Sequence, residues 1–202
     1  MRAEAGAVPE LCATDRTQIA RESEGTAQVR QRLRHAVTEH FDLLWKFLRQ
    51  LGIPEPDVDD AVQEVVIVAA RRLHEVEEGR ERAFLLGTAV RVASTVRRTL
   101  RRRREAGDEA LQIAVDDGPT PEEVVGLRRA RELLDLVLED MPLELRAVFV
   151  LHELDELTMA QIAVSLELAP GTVASRLRRA RALFEHRTRQ LEAELPHGGG
   201  AR

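Results

Sequence analysis

Leu33, Val37, Phe41, Leu44 and Leu48 recur at spacings of three and four, the period of a helix with one apolar face. Gly52 and Pro54 mark where that helix ends. Asp57, Asp59 and Asp60 then precede an apolar-rich run through Leu73. This predicts a second helix with negative charge at its start, where the macrodipole favours it. A third helix is predicted from near Glu81 into an arginine cluster, with the stretch "HEVEEGRER" around Gly79 as the connection.

The later part of the chain is punctuated more sharply. "ARELLDLVLEDMP" is a helical stripe stopped by Pro142, and "LELRAVFVLHELDE" gives another turn-bounded helix. In "LTMAQIAVSL", Thr158 with Gln161 three residues on has the form of a capping box, and Leu157 is placed to staple onto Ile162. The last helix opens with Pro170 in its first turn, where a missing N–H costs nothing. Val173, Leu177, Ala180 and Phe184 form its inward stripe, Ser175, Arg178, Arg179 and Ala182 fall opposite, and Thr172 and Arg176 flank the stripe near its start. Two helices joined by a short turn make a helix-turn-helix. An outer face of short residues and arginines suits a major groove.

Composition agrees with helices. The chain has 202 residues, 44% hydrophobic and only 3% aromatic, so its cores rest on Leu, Val, Ile and Ala, which favours helices over sheet. Cys12 is the lone cysteine, which excludes a disulfide within the chain and fits a reducing compartment. The longest wholly apolar run, Val65 to Ala70, is far short of the roughly 20 residues a membrane helix needs. No signal-peptide pattern opens the sequence, and a soluble cytoplasmic protein with no membrane insertion is expected.

Charge is segregated. The formal net charge is −5, yet of 30 basic residues only Lys46 is a lysine. Guanidinium suits bidentate phosphate and base contacts, and codon bias in a GC-rich genome gives the same preference. "RRTLRRRR" at 97–104 holds six arginines and residues 176–189 hold six more, while 105–127 hold seven carboxylates and no basic residue. That acidic stretch also collects Gly107, Gly118, Pro119, Pro121 and Gly126 and reads as a linker; at about 3.3 Å per residue it spans roughly 75 Å when extended. The expected organisation is all-α: a disordered arm at 1–27, a helical domain at 28–104, the flexible acidic linker at 105–127, a helix-turn-helix domain at 128–191 and a disordered tail at 192–202.

"ELRAVFVLHELDELTMAQIAVSLELAPGTVASRLRRARALF" resembles region 4 of the extracytoplasmic-function sigma factors of bacterial RNA polymerase. The match is carried by Gln161-Ile162-Ala163 and by Gly171, Thr172, Val173, Ser175, Arg176, Leu177, Arg179, Ala180 and Arg181. Upstream, "DDAVQEVVIVAARRL" is similar to a region 2 helix of the same family, at Asp60, Val62, Gln63 and Glu64, and "RAFLLGTAVRVASTVRRTLRRRR" takes the place of the following helix. The resemblance implies a promoter-specific initiation factor. Core RNA polymerase would dock on Asp60, Gln63 and Glu64, for which helix-start capping is the plainer reading. Arg97, Arg98, Arg101, Arg102, Arg103 and Arg104 would hold the DNA backbone near the minus-10 element, giving affinity rather than sequence. Thr172, Ser175, Arg176, Arg178 and Arg179 would read the minus-35 duplex. The acidic linker would thread along positively charged channels of the enzyme, or serve as a solvated spacer. An anti-sigma protein is a further expected partner; no catalytic residue, metal or cofactor is implied.

This chain departs from the family pattern at several points. Phe84 stands for the usual Trp and Arg91 for the usual Asn of the third helix, and the loop at 75–81, which in the family captures a flipped base, is dominated by Glu75, Glu77 and Glu78. Glu167 replaces the usual turn glycine and Ala169 the common Ser cap. Both imply a less stable helix-turn-helix, by about 1 kcal/mol each. Two other functions fit parts of the sequence. A LuxR-like regulator binding DNA without polymerase leaves residues 28–104 without a purpose. An enzyme built on Asp57, Asp59, Asp60 and Glu64, or on His152, Glu153 and Asp155, lacks convergent metal spacing and a phosphate loop.

Overall fold

The computed structural model describes residues 13–105 and 122–194. They form seven α-helices and no strand: α1 (Ala13–Gln50), α2 (Glu55–Arg72), α3 (Glu81–Glu105), α4 (Glu122–Glu139), α5 (Leu143–Phe149), α6 (Met159–Ser165) and α7 (Pro170–Glu194). A short 3-10 turn, Leu73–Glu75, follows α2, and a π-helical turn, Val150–Leu154, continues α5. Helix α1 begins at Ala13, well before the expected boundary near 28, and α4 begins at Glu122, inside the stretch expected as linker. The rest of the expected arm (1–12), most of the linker (106–121) and the tail from 195 lie outside the described residues.

In the first module, α1, α2 and α3 pack on one another around Leu44, Phe47, Leu48, Val58, Val65, Ala69, Leu85 and Ala89. Helix α2 starts at Glu55 with Pro54 before it and Glu55 and Asp57 in its first turn, so Asp59 and Asp60 sit one turn inside rather than at the cap. Trp45 Nε1 donates to Asp59 Oδ1 (3.1 Å), tying α1 to α2. Arg32 Nε (3.0 Å) and Nη2 (2.5 Å) donate to Glu81 Oε1, tying α1 to the start of α3.

The C-terminus of α1 is closed by donors from its own turn and from α3 and α5. A helix leaves its last four carbonyls without intrahelical partners. Here Ile53 N–H donates to Leu48 O (3.2 Å) and Gly52 N–H to Arg49 O (2.9 Å), a Schellman ending with Gly52 at φ +87°. The next two carbonyls are taken by guanidinium groups: Arg146 Nε donates to Gln50 O and Arg97 Nη1 to Leu51 O (3.0 Å). Arg146 Nη1 also donates to Leu138 O at the end of α4 (2.9 Å). Positive charge at helix C-termini is favourable, and each buried carbonyl has its donor.

Arg146 belongs to α5, in which Leu145, Ala147, Val148 and Phe149 are also buried. A helix apolar on every side is a buried helix, and α5 lies between α7 and the end of α1. One contiguous apolar core therefore runs through both modules, from Leu44 and Val58 to Ile162, Val173 and Ala180.

Gly52→Ala should lower the unfolding free energy by roughly 1–2 kcal/mol for the left-handed backbone alone, and by more in total. An added Cβ would lie 3.0 Å from Arg146 Nη1, whereas at Gly79 (φ +83°) it would meet nothing. In urea titrations Gly79→Ala should cost less; equal midpoint shifts for the two variants would show that Arg146 does not press on this turn.

Candidate nucleic-acid interface

The helix-turn-helix is built as its local sequence dictates. Thr158 caps α6: Gln161 N–H donates to Thr158 Oγ1 (3.3 Å) and Thr158 N–H to Gln161 Oε1 (2.8 Å), a complete capping box. Leu157 and Ile162 are both buried beneath it. The turn closes with Leu168 N–H on Ala163 O (2.9 Å) and Glu167 N–H on Val164 O (3.3 Å), with Glu167 left-handed at φ +54°. It is the same ending as at Gly52, with a side chain where glycine is the easy choice. Helix α7 follows: the Ala169 carbonyl accepts from Thr172 N–H (2.9 Å) and Val173 N–H (3.2 Å), and no side chain caps it from position 169.

On α7, Val173, Leu177 and Ala180 are buried, and Phe184 stacks on Phe149 with ring centroids 4.8 Å apart. Arg178 and Arg179 are exposed, while Thr172, Ser175 and Arg176 are half-buried along the edge. The Ser175 hydroxyl donates to Thr172 O (3.0 Å). Arg181 is turned to the protein, reaching Glu153 at 2.7 Å. The outer face therefore offers two exposed guanidinium groups beside short side chains, the shape a major groove admits.

On α2, Asp60, Gln63 and Glu64 are exposed, and Ala61, Val62 and Val65 are buried behind them. The acidic face and the apolar face divide as the periodicity requires.

The arginines at the end of α3 do not act as one group. Arg98, Arg101, Arg102 and Arg103 are exposed; the side chain of Arg104 lies outside the described residues. Arg97 points inward to Leu51 O, and burial draws its guanidinium below the usual arginine range, against attraction from Glu144 and Glu139. Arg97 continues the inward stripe of Ala89 and Ala93 at i+4, a signal the sequence carried. Arg146, which the sequence reading did not single out, is 3% exposed; burial first and Arg97 second bring its pKa down to about 10, so it remains a cation at neutral pH.

The loop between α2 and α3 is acidic but internally paired: Glu75 reaches Arg72 and Glu77 reaches Arg80, both at 2.9 Å. Beside it, Arg32, His35, Glu39, His40, Glu78 and Gly79 line a cleft of about 380 Å³. Glu153 and Asp155 turn apart, Glu153 onto Arg181 and Asp155 onto Lys46. Among the described residues no three His, Cys, Asp or Glu side chains are grouped to hold a metal.

Comparison with known proteins fits this division. Residues 36–105 match the family model described as Sigma-70 region 2, and residues 131–184 match Sigma-70, region 4. The chain belongs to the extracytoplasmic-function sigma factors. It is 29% identical over 146 residues to the ECF RNA polymerase sigma factor SigE of Mycolicibacterium smegmatis, covering 72% of this chain and 57% of that protein. It is also 29% identical over 148 residues to the ECF RNA polymerase sigma-E factor of Escherichia coli K12, covering 69% and 78%. The chain thus spans just over half the length of the mycobacterial relative. Its fold is like that of CnrH, solved with the cytosolic domain of CnrY (TM-score 0.60, 23% identity, 86% of this chain and 96% of that one). It is also like RpoE of Bartonella quintana, solved with the anti-sigma factor NepR (TM-score 0.57, 19% identity, 77% and 96%). In this sigma factor the region 4 model covers the second half of α4 to the middle of α7, and the region 2 model the C-terminal part of α1 through α3.

The uncapped start of α7 should respond to a single hydroxyl. Ala169→Ser should stabilise the chain by about 1 kcal/mol, read as a raised urea midpoint with unchanged slope; a lowered midpoint would contradict the cap geometry.

Proposed function

We propose that this sigma factor binds core RNA polymerase and directs it to specific promoters as an alternative initiation factor. The observation that carries this reading is the presence, in one chain and in order, of region 2 and region 4, each with a polar face turned outward from its apolar core. In region 2, Asp60, Gln63 and Glu64 form the docking face for the polymerase. Arg98, Arg101, Arg102, Arg103 and Arg104 hold phosphates near the minus-10 element; Arg97 serves mainly as an internal brace and adds little to DNA. In region 4, Arg178 and Arg179 enter the major groove at the minus-35 element, with Thr172, Ser175 and Arg176 along the contact edge.

The role is one of binding rather than catalysis and needs no cofactor. The factor acts in the cytoplasm, and none of its described helices is long and apolar enough to cross a membrane. An anti-sigma protein is the natural antagonist, as in the solved complex of RpoE with the anti-sigma factor NepR. The reading as a free-standing helix-turn-helix regulator is not favoured, because it gives region 2 no task.

Two variants separate the halves of this function. Gln63→Ala with Glu64→Ala should weaken co-purification with core polymerase. Arg178→Ala with Arg179→Ala should leave that binding intact and abolish promoter-specific run-off transcription, since a good bidentate base contact carries about 1–3 kcal/mol of discrimination. Specific transcription surviving in the second variant would remove α7 from the groove.

A further inference from the structure

Among its described residues, region 2 leaves two large apolar side chains exposed, Phe41 (42%) and Ile67 (36%). A scattered exposed apolar residue is ordinary on a protein surface, so it is their placement that matters. Ile67 follows Asp60 by seven residues, Gln63 by four and Glu64 by three, spacings that put all four on one face of α2. Val58, Ala61, Val62, Val65 and Ala69 are buried on the opposite face. At about 100° per residue, Ile67 points almost directly away from them, with exposed Ala70 and Arg71 on its other side.

Phe41 arrives from α1. The short connection 51–54 folds α1 back antiparallel on α2, and the hydrogen bond from Trp45 to Asp59 (3.1 Å) fixes their register. One turn back from Trp45 and one turn on from Asp59, Phe41 comes level with Gln63. The two exposed apolar groups of the module thus flank the same glutamine, inside a rim of Asp60, Glu64 and Arg71.

A specific protein interface carries an apolar centre within a polar rim: burial of the centre supplies affinity, while rim charge steers the encounter and fixes register. Asp60 and Glu64 provide only the second contribution, which salt screens. We propose that Ile67 and Phe41 are the apolar anchor of the polymerase-docking face, and that the polymerase surface they meet presents apolar side chains ringed by arginine or lysine. The anchor sets how long the factor stays on the enzyme; the carboxylates set how fast it arrives. The inference rests on the sigma-factor reading, which supplies the identity of the partner.

The experiment measures association and dissociation rates of the full chain on immobilised core RNA polymerase at low and high salt. Ile67→Ala should raise the dissociation rate roughly tenfold and change the association rate by less than about twofold, and Phe41→Ala should act in the same direction. Ile67→Leu, which keeps the apolar volume, should restore slow dissociation. Asp60→Asn with Glu64→Gln should instead slow association and flatten its salt dependence. Ile67 lies outside the apolar core and alanine is the better helix former, so Ile67→Ala should keep the helical circular dichroism and the urea midpoint of the unsubstituted chain. Unchanged dissociation in both alanine variants overturns the anchor, as does an Ile67→Leu chain that leaves as fast as Ile67→Ala. A failure of the unsubstituted chain to bind core polymerase at either salt overturns the sigma-factor reading, and the anchor falls with it.

Discussion

The carbonyl end of α1 has to be satisfied before anything else in this fold can be in place. It is buried among helices from both modules, so water does not serve it, and an unpaired buried carbonyl costs about as much as a lost hydrogen bond. The backbone closes two of the four acceptors through Gly52, and Arg146 and Arg97 close the others. Two cations in one neighbourhood repel, and burial disfavours both charges. The carbonyl dipoles, with Asp135, Glu139 and Glu144 nearby, offset this. Removing one partner of such a group leaves the others uncompensated, which is why single substitutions in buried ionic networks are costly.

This constraint divides the arginines by task. A chain that uses guanidinium almost exclusively for its positive charge places some of it where a lysine would serve poorly: a rigid fork that donates to two carbonyls at once, as Arg146 does to Gln50 and Leu138. The exposed remainder at the end of α3 and on α7 carries the field that phosphate feels. Net charge describes neither population, since the carboxylates that outweigh the arginines lie on other segments.

Helix placement, the capping box at Thr158, the inward stripe of α7 and the acidic face of α2 were legible because each depends on residues within a few positions of one another. The left-handed Glu167 and the uncapped Ala169 were legible for the same reason. The role of Arg97 was hidden by the run of arginines around it, although its i+4 spacing from Ala93 placed it on the buried face. Arg146 sat in an otherwise apolar run, "LELRAVFV", and its partners are 96 and 8 positions away in sequence. Gly87, inside α3, meets the Ser165 carbonyl oxygen of α6, an approach that no periodicity in α3 announces. Contacts between modules depend on chain segments that share no local pattern, and these the sequence left unread.

The pair Trp45–Asp59 has a practical consequence for observing the molecule. The chain contains one tryptophan and no tyrosine, and that tryptophan sits between α1 and α2. Its emission therefore reports melting of region 2, whereas far-ultraviolet circular dichroism sums over every helix. Coincident transitions by the two probes mean that the continuous core melts as one cooperative unit; a dichroic transition that precedes the fluorescent one isolates the helix-turn-helix optically, without cutting the chain.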